Sequence, residues 1–133
     1  MSRWVIDAGV ALRIVSEQIA LPEQVALVAP ALMKSEVLQR VHASVRAGEL
    51  SRADAVDVLE RFAALKVRYL SDRVSRKVAL DIAADLDDDE TALAEHLAVT
   101  RLQADAFVSA DPERARRAAD VVAVGSYEEL TGG

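Results

Sequence analysis

The sequence predicts an α/β fold in which helices cover the faces of a short, mostly parallel central sheet. Short apolar runs alternate with longer segments of helical periodicity, and no internal repeat or linker interrupts this order. In addition, Asp7 and Asp111 each end a short apolar run and begin a helix-like segment. Because open α/β sheets bind ligands at the carboxyl ends of their strands, both acids are predicted to lie at that edge.

Composition favours one domain over residues 1–133, since 52% of the residues are hydrophobic and can bury a core of that size. The absence of cysteine excludes a disulfide framework, a thiolate zinc site and a cysteine nucleophile, and it favours the cytoplasm. Asp7 and Arg13 interrupt the apolar amino end, which therefore indicates a strand and a helix rather than a signal peptide. No apolar run approaches the roughly 18 residues of a membrane span.

The first half of the chain predicts one strand, three helices and one mixed connecting segment. Residues 3–6 predict a strand and residues 8–16 a short helix, whereas the mixed residues 21–29 indicate a connecting loop with at most a partial strand. Apolar residues recur on one helical face over residues 31–47, and Gly48 then closes that helix. Residues 51–65 open with a sequence that resembles a capping box and complete a helical hairpin.

The second half continues the alternation. Residues 66–70 predict a strand, residues 74–86 and 92–103 predict helices, and the acidic residues 87–90 form the loop between those helices. Residues 106–109 predict another strand.

The chain then turns at Asp111. Pro112 is predicted at the first position of a helix, where its missing N–H costs nothing. Residues 121–124 predict a last strand, and Gly125 is expected to begin a polar tail.

Three acids, Asp7, Glu36 and Asp111, are the candidate site residues, and each also has a plainer interpretation. Asp7 and Asp111 stand where a helix N-cap would stand. Glu36 lies four residues before Arg40, the spacing of a favourable ion pair on a helix surface. On spacing alone these structural roles are favoured, and only the combination of the three acids raises the prediction of a site.

Other chemistries find little support. His42 and His96 are the only histidines, belong to no zinc motif, and are expected at the surface or in packing. No phosphate-binding glycine loop and no local signature of a Ser-His-Asp site occurs. A net charge of −6 argues against a bare basic surface for nucleic acid, but it is compatible with an acidic pocket that meets phosphate through a cation. The basic residues on predicted helices are interpreted first as solvated charge and second as substrate contacts: Lys34, Arg40, Arg46, Arg114, Arg116 and Arg117.

Three segments together resemble the PIN-domain family, specifically its VapC-type toxin branch. They are residues 5–10, Val-Ile-Asp-Ala-Gly-Val; residues 29–37, in which Ala29-Pro30 leads to Ser35-Glu36-Val37; and residues 101–111, Arg-Leu-Gln-Ala-Asp-Ala-Phe-Val-Ser-Ala-Asp. The resemblance covers nearly the whole chain. It implies a PIN-like three-layer sandwich and metal-dependent cleavage of RNA, with Asp7, Glu36 and Asp111 as ligands of Mg²⁺ or Mn²⁺, which prefer hard oxygen donors. It also implies a cognate antitoxin protein and a homodimer.

One departure from the family pattern bears on catalysis. Gap-free counting places Leu93 where the family carries another aspartate, and leucine cannot bind a metal. A substitute ligand could come from Asp88, Asp89 or Glu90 in the preceding loop. The alternative interpretation is a catalytically degenerate module with the same fold, which binds an antitoxin or RNA and does not cleave RNA. A phosphoacceptor domain is disfavoured, because Ala8 stands where it would need a second acid.

Overall fold

The computed structural model describes residues 1–132, and Gly133 lies outside the described residues. Strands and helices alternate along most of this part of the chain. Their bounds are β1 Ser2–Ile6, α1 Ala8–Glu17, β2 Val25–Pro30, α2 Leu32–Arg46, α3 Arg52–Ala64, β3 Val67–Leu70, α4 Arg73–Asp85, α5 Ala92–Gln103, β4 Ala106–Val108, α6 Pro112–Ala118 and α7 Tyr127–Thr131. Among residues 1–132, no helix combines the length and the apolar character needed to cross a membrane.

The four strands form one sheet in the order β3-β2-β1-β4, and all neighbouring pairs are parallel. The predicted α/β class is therefore confirmed. The prediction of a connecting loop with at most a partial strand over residues 21–29 holds for residues 21–24, whereas Val25–Pro30 form a full interior strand, β2, paired on both sides. Its residues Val25–Pro30 are almost uniformly apolar because both faces are covered, so the strand lacks the alternation by which a half-buried strand is recognised.

Helices cover both faces of the sheet. On one face α1, α2 and α3 pack against one another, and on the other α5 packs on the sheet and against α4. Successive strand residues point to opposite faces, so Ile6 belongs to the first core and Val5 to the second. In the same way, Val108 and Phe107 of β4 divide between the two cores. The result is a three-layer sandwich.

The carboxyl end of the chain differs from the prediction in two respects. Residues 121–124 make only one isolated parallel bridge, between Val124 and Phe107, because Val121 and Val122 donate their N–H groups back to Ala118 in a turn. Instead of a polar tail, Tyr127–Thr131 form α7, and its Leu130 is fully buried in the first core. The tail is therefore part of the fold.

Candidate functional site at the carboxyl edge of the sheet

Asp7 follows β1 directly and is fully buried. Its Oδ1 accepts a hydrogen bond of 3.1 Å from the N–H of Val10, so it caps α1 as its sequence position suggested. Its Oδ2 accepts a hydrogen bond of 2.5 Å from the hydroxyl of Ser109, which follows β4. Asp7 thus connects the carboxyl ends of two neighbouring strands, and both oxygens are held in place.

Gly9 allows this close approach between the start of α1 and the loop after β4. A Cβ atom at Gly9 would lie 2.7 Å from the Cβ of Ala110, closer than real Cβ atoms come to one another. The neighbouring N–H of Ala110 lies 3.4 Å from Oδ1 of Asp7. A side chain at position 9 would therefore push the loop that carries Ser109 and Ala110 away from the carboxylate.

Glu36 on α2 meets Asp7 through the guanidinium of Arg114 on α6. One terminal nitrogen of Arg114, Nη1, lies 3.5 Å from Oδ2 of Asp7, and the other, Nη2, lies 3.4 Å from Oε2 of Glu36. Arg40, the ion-pair partner suggested by sequence spacing, acts on Glu36 only at longer range. Burial raises the pKa of Glu36, Arg114 opposes that shift, and the negative charge of Asp7 adds to it.

His96 on α5 faces the other oxygen of Glu36. The histidine is fully buried against Phe107, and its Nδ1–H donates a 2.9 Å hydrogen bond to the carbonyl of Ala92. In the neutral ring this tautomer leaves a lone pair on Nε2, which lies 3.4 Å from Oε1 of Glu36, and neither of these two buried atoms has a hydrogen-bond partner. Burial lowers the pKa of His96 to about 4.

Asp111 lies close to this group but does not join it. The residue is exposed, and its Oδ1 accepts a 2.9 Å hydrogen bond from the N–H of Glu113, which makes it the N-cap of α6. Its own N–H donates to the hydroxyl of Ser109, the residue that also binds Asp7. Ser109 is therefore the link between Asp7 and Asp111, while the carboxylate of Asp111 serves the helix.

Of the three proposed substitute ligands in the acidic loop, only Asp88 contacts an arginine of α6 in the described part of the chain. Asp88 accepts a hydrogen bond of 3.2 Å from Arg117, three residues after Arg114. The N–H of Glu90 and the charges of Arg117 and Arg114 lower the pKa of Asp88. Asp89 and Glu90 are exposed, and neither forms an ion pair among residues 1–132.

Leu93, at the place of the missing family acid, lies in the apolar interior. Its side chain is 3% exposed and belongs to the core that contains Val5, Val28 and Leu97. This environment suits leucine and would disfavour an ionised carboxylate without a partner.

The donor atoms fit Mg²⁺ or Mn²⁺ in their chemistry, but the set of ligands is incomplete. Asp7 and Glu36 supply hard oxygens, and Oε1 of Glu36 is buried without a hydrogen-bond partner. Within residues 1–132, however, no three His, Asp or Glu side chains are grouped so that they could hold a metal ion. The structure thus brings Asp7 and Glu36 to one guanidinium, while the metal-ligand roles of Asp7, Glu36 and Asp111 stay predictions.

For two residues of this site, Arg114 and His96, the role predicted from the sequence differs in part from the one in the structure. Arg114 was interpreted first as solvated charge, and His96 as a surface or packing residue. The packing role of His96 is correct, but its contact with Glu36 has no local signal in the sequence, since the two residues are 60 positions apart. For Arg114, the only available signal was its position one turn after Asp111, at the expected edge of the sheet.

Comparison with known proteins supports the fold. Among solved structures, the chain is similar to PAE2754 from Pyrobaculum aerophilum, with a TM-score of 0.76 and 18% sequence identity over 98% of this chain and 93% of that one. No protein-family model and no curated protein matches the sequence. At this level of identity the structural similarity establishes the architecture alone.

Proposed function

We propose that this chain is a PIN-like domain of the VapC toxin type that cleaves RNA at the carboxyl edge of its sheet with Mg²⁺ or Mn²⁺. The observation that carries the proposal is the meeting of Asp7 and Glu36 around one cationic group, Arg114. The two acids come from different elements and lie where parallel sheets place their ligands. Capping alone would account for Asp7, but it gives no reason for Glu36 to turn inward.

In this proposal, Asp7 and Glu36 are the two protein ligands of the metal. Asp7, fixed by Val10 and Ser109, is the rigid ligand, and Glu36 is the second ligand, through the Oε2 that meets Arg114. A bound divalent ion would activate water for attack on the phosphodiester and stabilise the leaving oxygen. The ion also gives RNA phosphates a positive contact on a chain of net charge −6. A cytoplasmic location, a cognate antitoxin and a homodimer follow from the resemblance and belong to the same proposal.

A second candidate is a PIN-like module that binds its antitoxin without cleaving RNA. Two observations favour it: Leu93 lies in the core at the place of the missing acid, and Arg114 already forms ion pairs with both Asp7 and Glu36. In this candidate the ion pair replaces the metal as the group that holds α2, α6 and β1 together at this edge.

RNA cleavage separates the two candidates. We expect the purified chain to cleave an unstructured RNA with millimolar Mn²⁺, to lose that activity in EDTA, and to lose it in the variant Asp7→Asn. Asparagine is also a good N-cap, so this variant keeps the helix start. The exposed Asp81 on α4 provides the matched control, because Asp81→Asn changes the formal charge equally. Absence of cleavage by the wild-type chain would favour the second candidate, and cleavage unaffected by Asp7→Asn would exclude this site.

A further inference from the structure

The contacts of Arg114 differ from those of Arg116 on the same helix, α6. Arg116 pairs with Glu113 of its own helix, and both side chains are well exposed. The side chain of Arg114 is only 19% exposed and reaches two carboxylates on other elements, Asp7 and Glu36. A cation in the first turn of a helix is disfavoured by the helix dipole. Its position is therefore set by the two acids rather than by α6.

The guanidinium of Arg114 occupies the place between the carboxylates. Oδ2 of Asp7 and Oε2 of Glu36 each lie within 3.5 Å of a different nitrogen of that group. A metal that bound both oxygens would lie about 2.0–2.6 Å from each. It would then be a few ångströms from a positive charge and would be repelled by it. The two cations cannot share these oxygens.

We propose that Arg114 is an internal cation that competes with a divalent metal for Asp7 and Glu36, so that the metal binds only when the guanidinium withdraws. This inference rests on the proposed function only for the identity of the ligand, a divalent metal. Because of this competition, the apparent metal affinity equals the intrinsic affinity multiplied by the fraction of molecules in which the guanidinium is withdrawn. In the metal-free protein, the guanidinium of Arg114 thus occupies the space between Asp7 and Glu36.

The test measures Mn²⁺ affinity by calorimetry on the full chain and its variants, without RNA. We expect Arg114→Gln to bind Mn²⁺ at least about tenfold more tightly than wild type, which equals about 1.4 kcal/mol. Arg114→Lys, which keeps the positive charge, should remain weak. The control Arg116→Gln removes the same charge from the same helix at an exposed position and should match wild type.

A second measurement keeps the inference testable if Arg114→Gln does not fold. In wild type, the Nε–H resonance of Arg114 should move on addition of a diamagnetic divalent ion such as Mg²⁺, while that of Arg116 should not. The inference is overturned if Arg114→Gln shows no gain in affinity, if Arg116→Gln gains as much, or if metal binds wild type without moving Arg114. Tight binding by Arg114→Gln without RNA cleavage would instead refute the proposed function and leave the competition intact.

Discussion

Acid should destabilise this protein through the buried His96. The pKa of His96 falls from 6.5 to about 4 on folding because the ring is buried. Folding therefore favours the neutral ring. Its contribution to stability is fully present above pH 6.5 and is lost as the pH falls toward 4. The full effect is about 3 kcal/mol, and about 2 kcal/mol of it should be lost by pH 5.

The assay is urea denaturation of wild type, His96→Gln and His42→Gln at pH 7.5 and pH 5. Glutamine does not titrate, and its amide can donate to Oε1 of Glu36, which lacks a hydrogen-bond partner. We expect wild type and His42→Gln to lose about 2 kcal/mol more than His96→Gln between the two pH values. Position 42 is exposed, so it provides the matched control.

The comparison with a variant is needed because Glu36 acts in the opposite direction. Its pKa is raised, so folding binds a proton there, and stability falls as the pH rises above the ordinary value of a glutamate. The pH profile of wild type alone therefore contains two opposing contributions. If wild type and His96→Gln lose equal stability at pH 5, or if His42→Gln removes the effect, the argument from burial of His96 is refuted.

Three further predictions concern packing and charge. Gly125→Ala should lower the free energy of unfolding by about 1–3 kcal/mol, because the added Cβ would lie 2.2 Å from the ring of Trp4. Unchanged stability and unchanged tryptophan fluorescence would contradict this contact. Leu130→Ala should cost about 2–5 kcal/mol in urea denaturation because the residue is fully buried, and a cost below 1 kcal/mol would show that α7 is dispensable. Leu93→Asp should lower the melting temperature without metal, because it buries an unpaired carboxylate, and Mn²⁺ should restore part of the loss. If Mn²⁺ shifts this variant no more than wild type, position 93 does not face the site.

The sequence predicted the alternation of elements because most of them carry a local signal. Residues 92–103 have helical periodicity and form α5 over the same bounds. Ser51 caps α3 through the N–H of Asp54, and Gly48 ends α2 with a positive φ of 75°. These features depend on neighbours within a few residues, which is why they can be read without the tertiary structure.

The errors occur where tertiary burial decides the outcome. The run Val25–Pro30 is apolar on both faces, and periodicity alone does not show whether such a run is a buried strand or part of a buried helix. The tail carries a local signal that was overlooked: Ser126 and Glu129 form a capping box at the start of α7. With Leu130 next in sequence, that box would have predicted a short helix with a buried side chain.

The candidate site could be predicted only in part, because each of its acids has a structural role and a site position at once. Asp7 caps α1 with one oxygen and binds Ser109 with the other, so the capping interpretation was correct and incomplete. Arg114 reaches Asp7 across 107 residues of sequence and Glu36 across 78, and no local pattern encodes either contact. Long-range ion pairs of this kind depend on the fold that brings their elements together.

The charge balance at the carboxyl edge decides which change would affect metal binding most. Asp7 and Glu36 carry two formal negative charges, and Arg114 returns one positive charge. A divalent ion added beside Arg114 would leave this group of side chains with a net positive charge, whereas the same ion in place of Arg114 would leave it neutral. Since uncompensated charge in a partly buried site is costly, neutrality favours exchange of one cation for the other over binding of both. An additional acid elsewhere would leave the guanidinium in place, so we expect removal of Arg114 to change the metal affinity most.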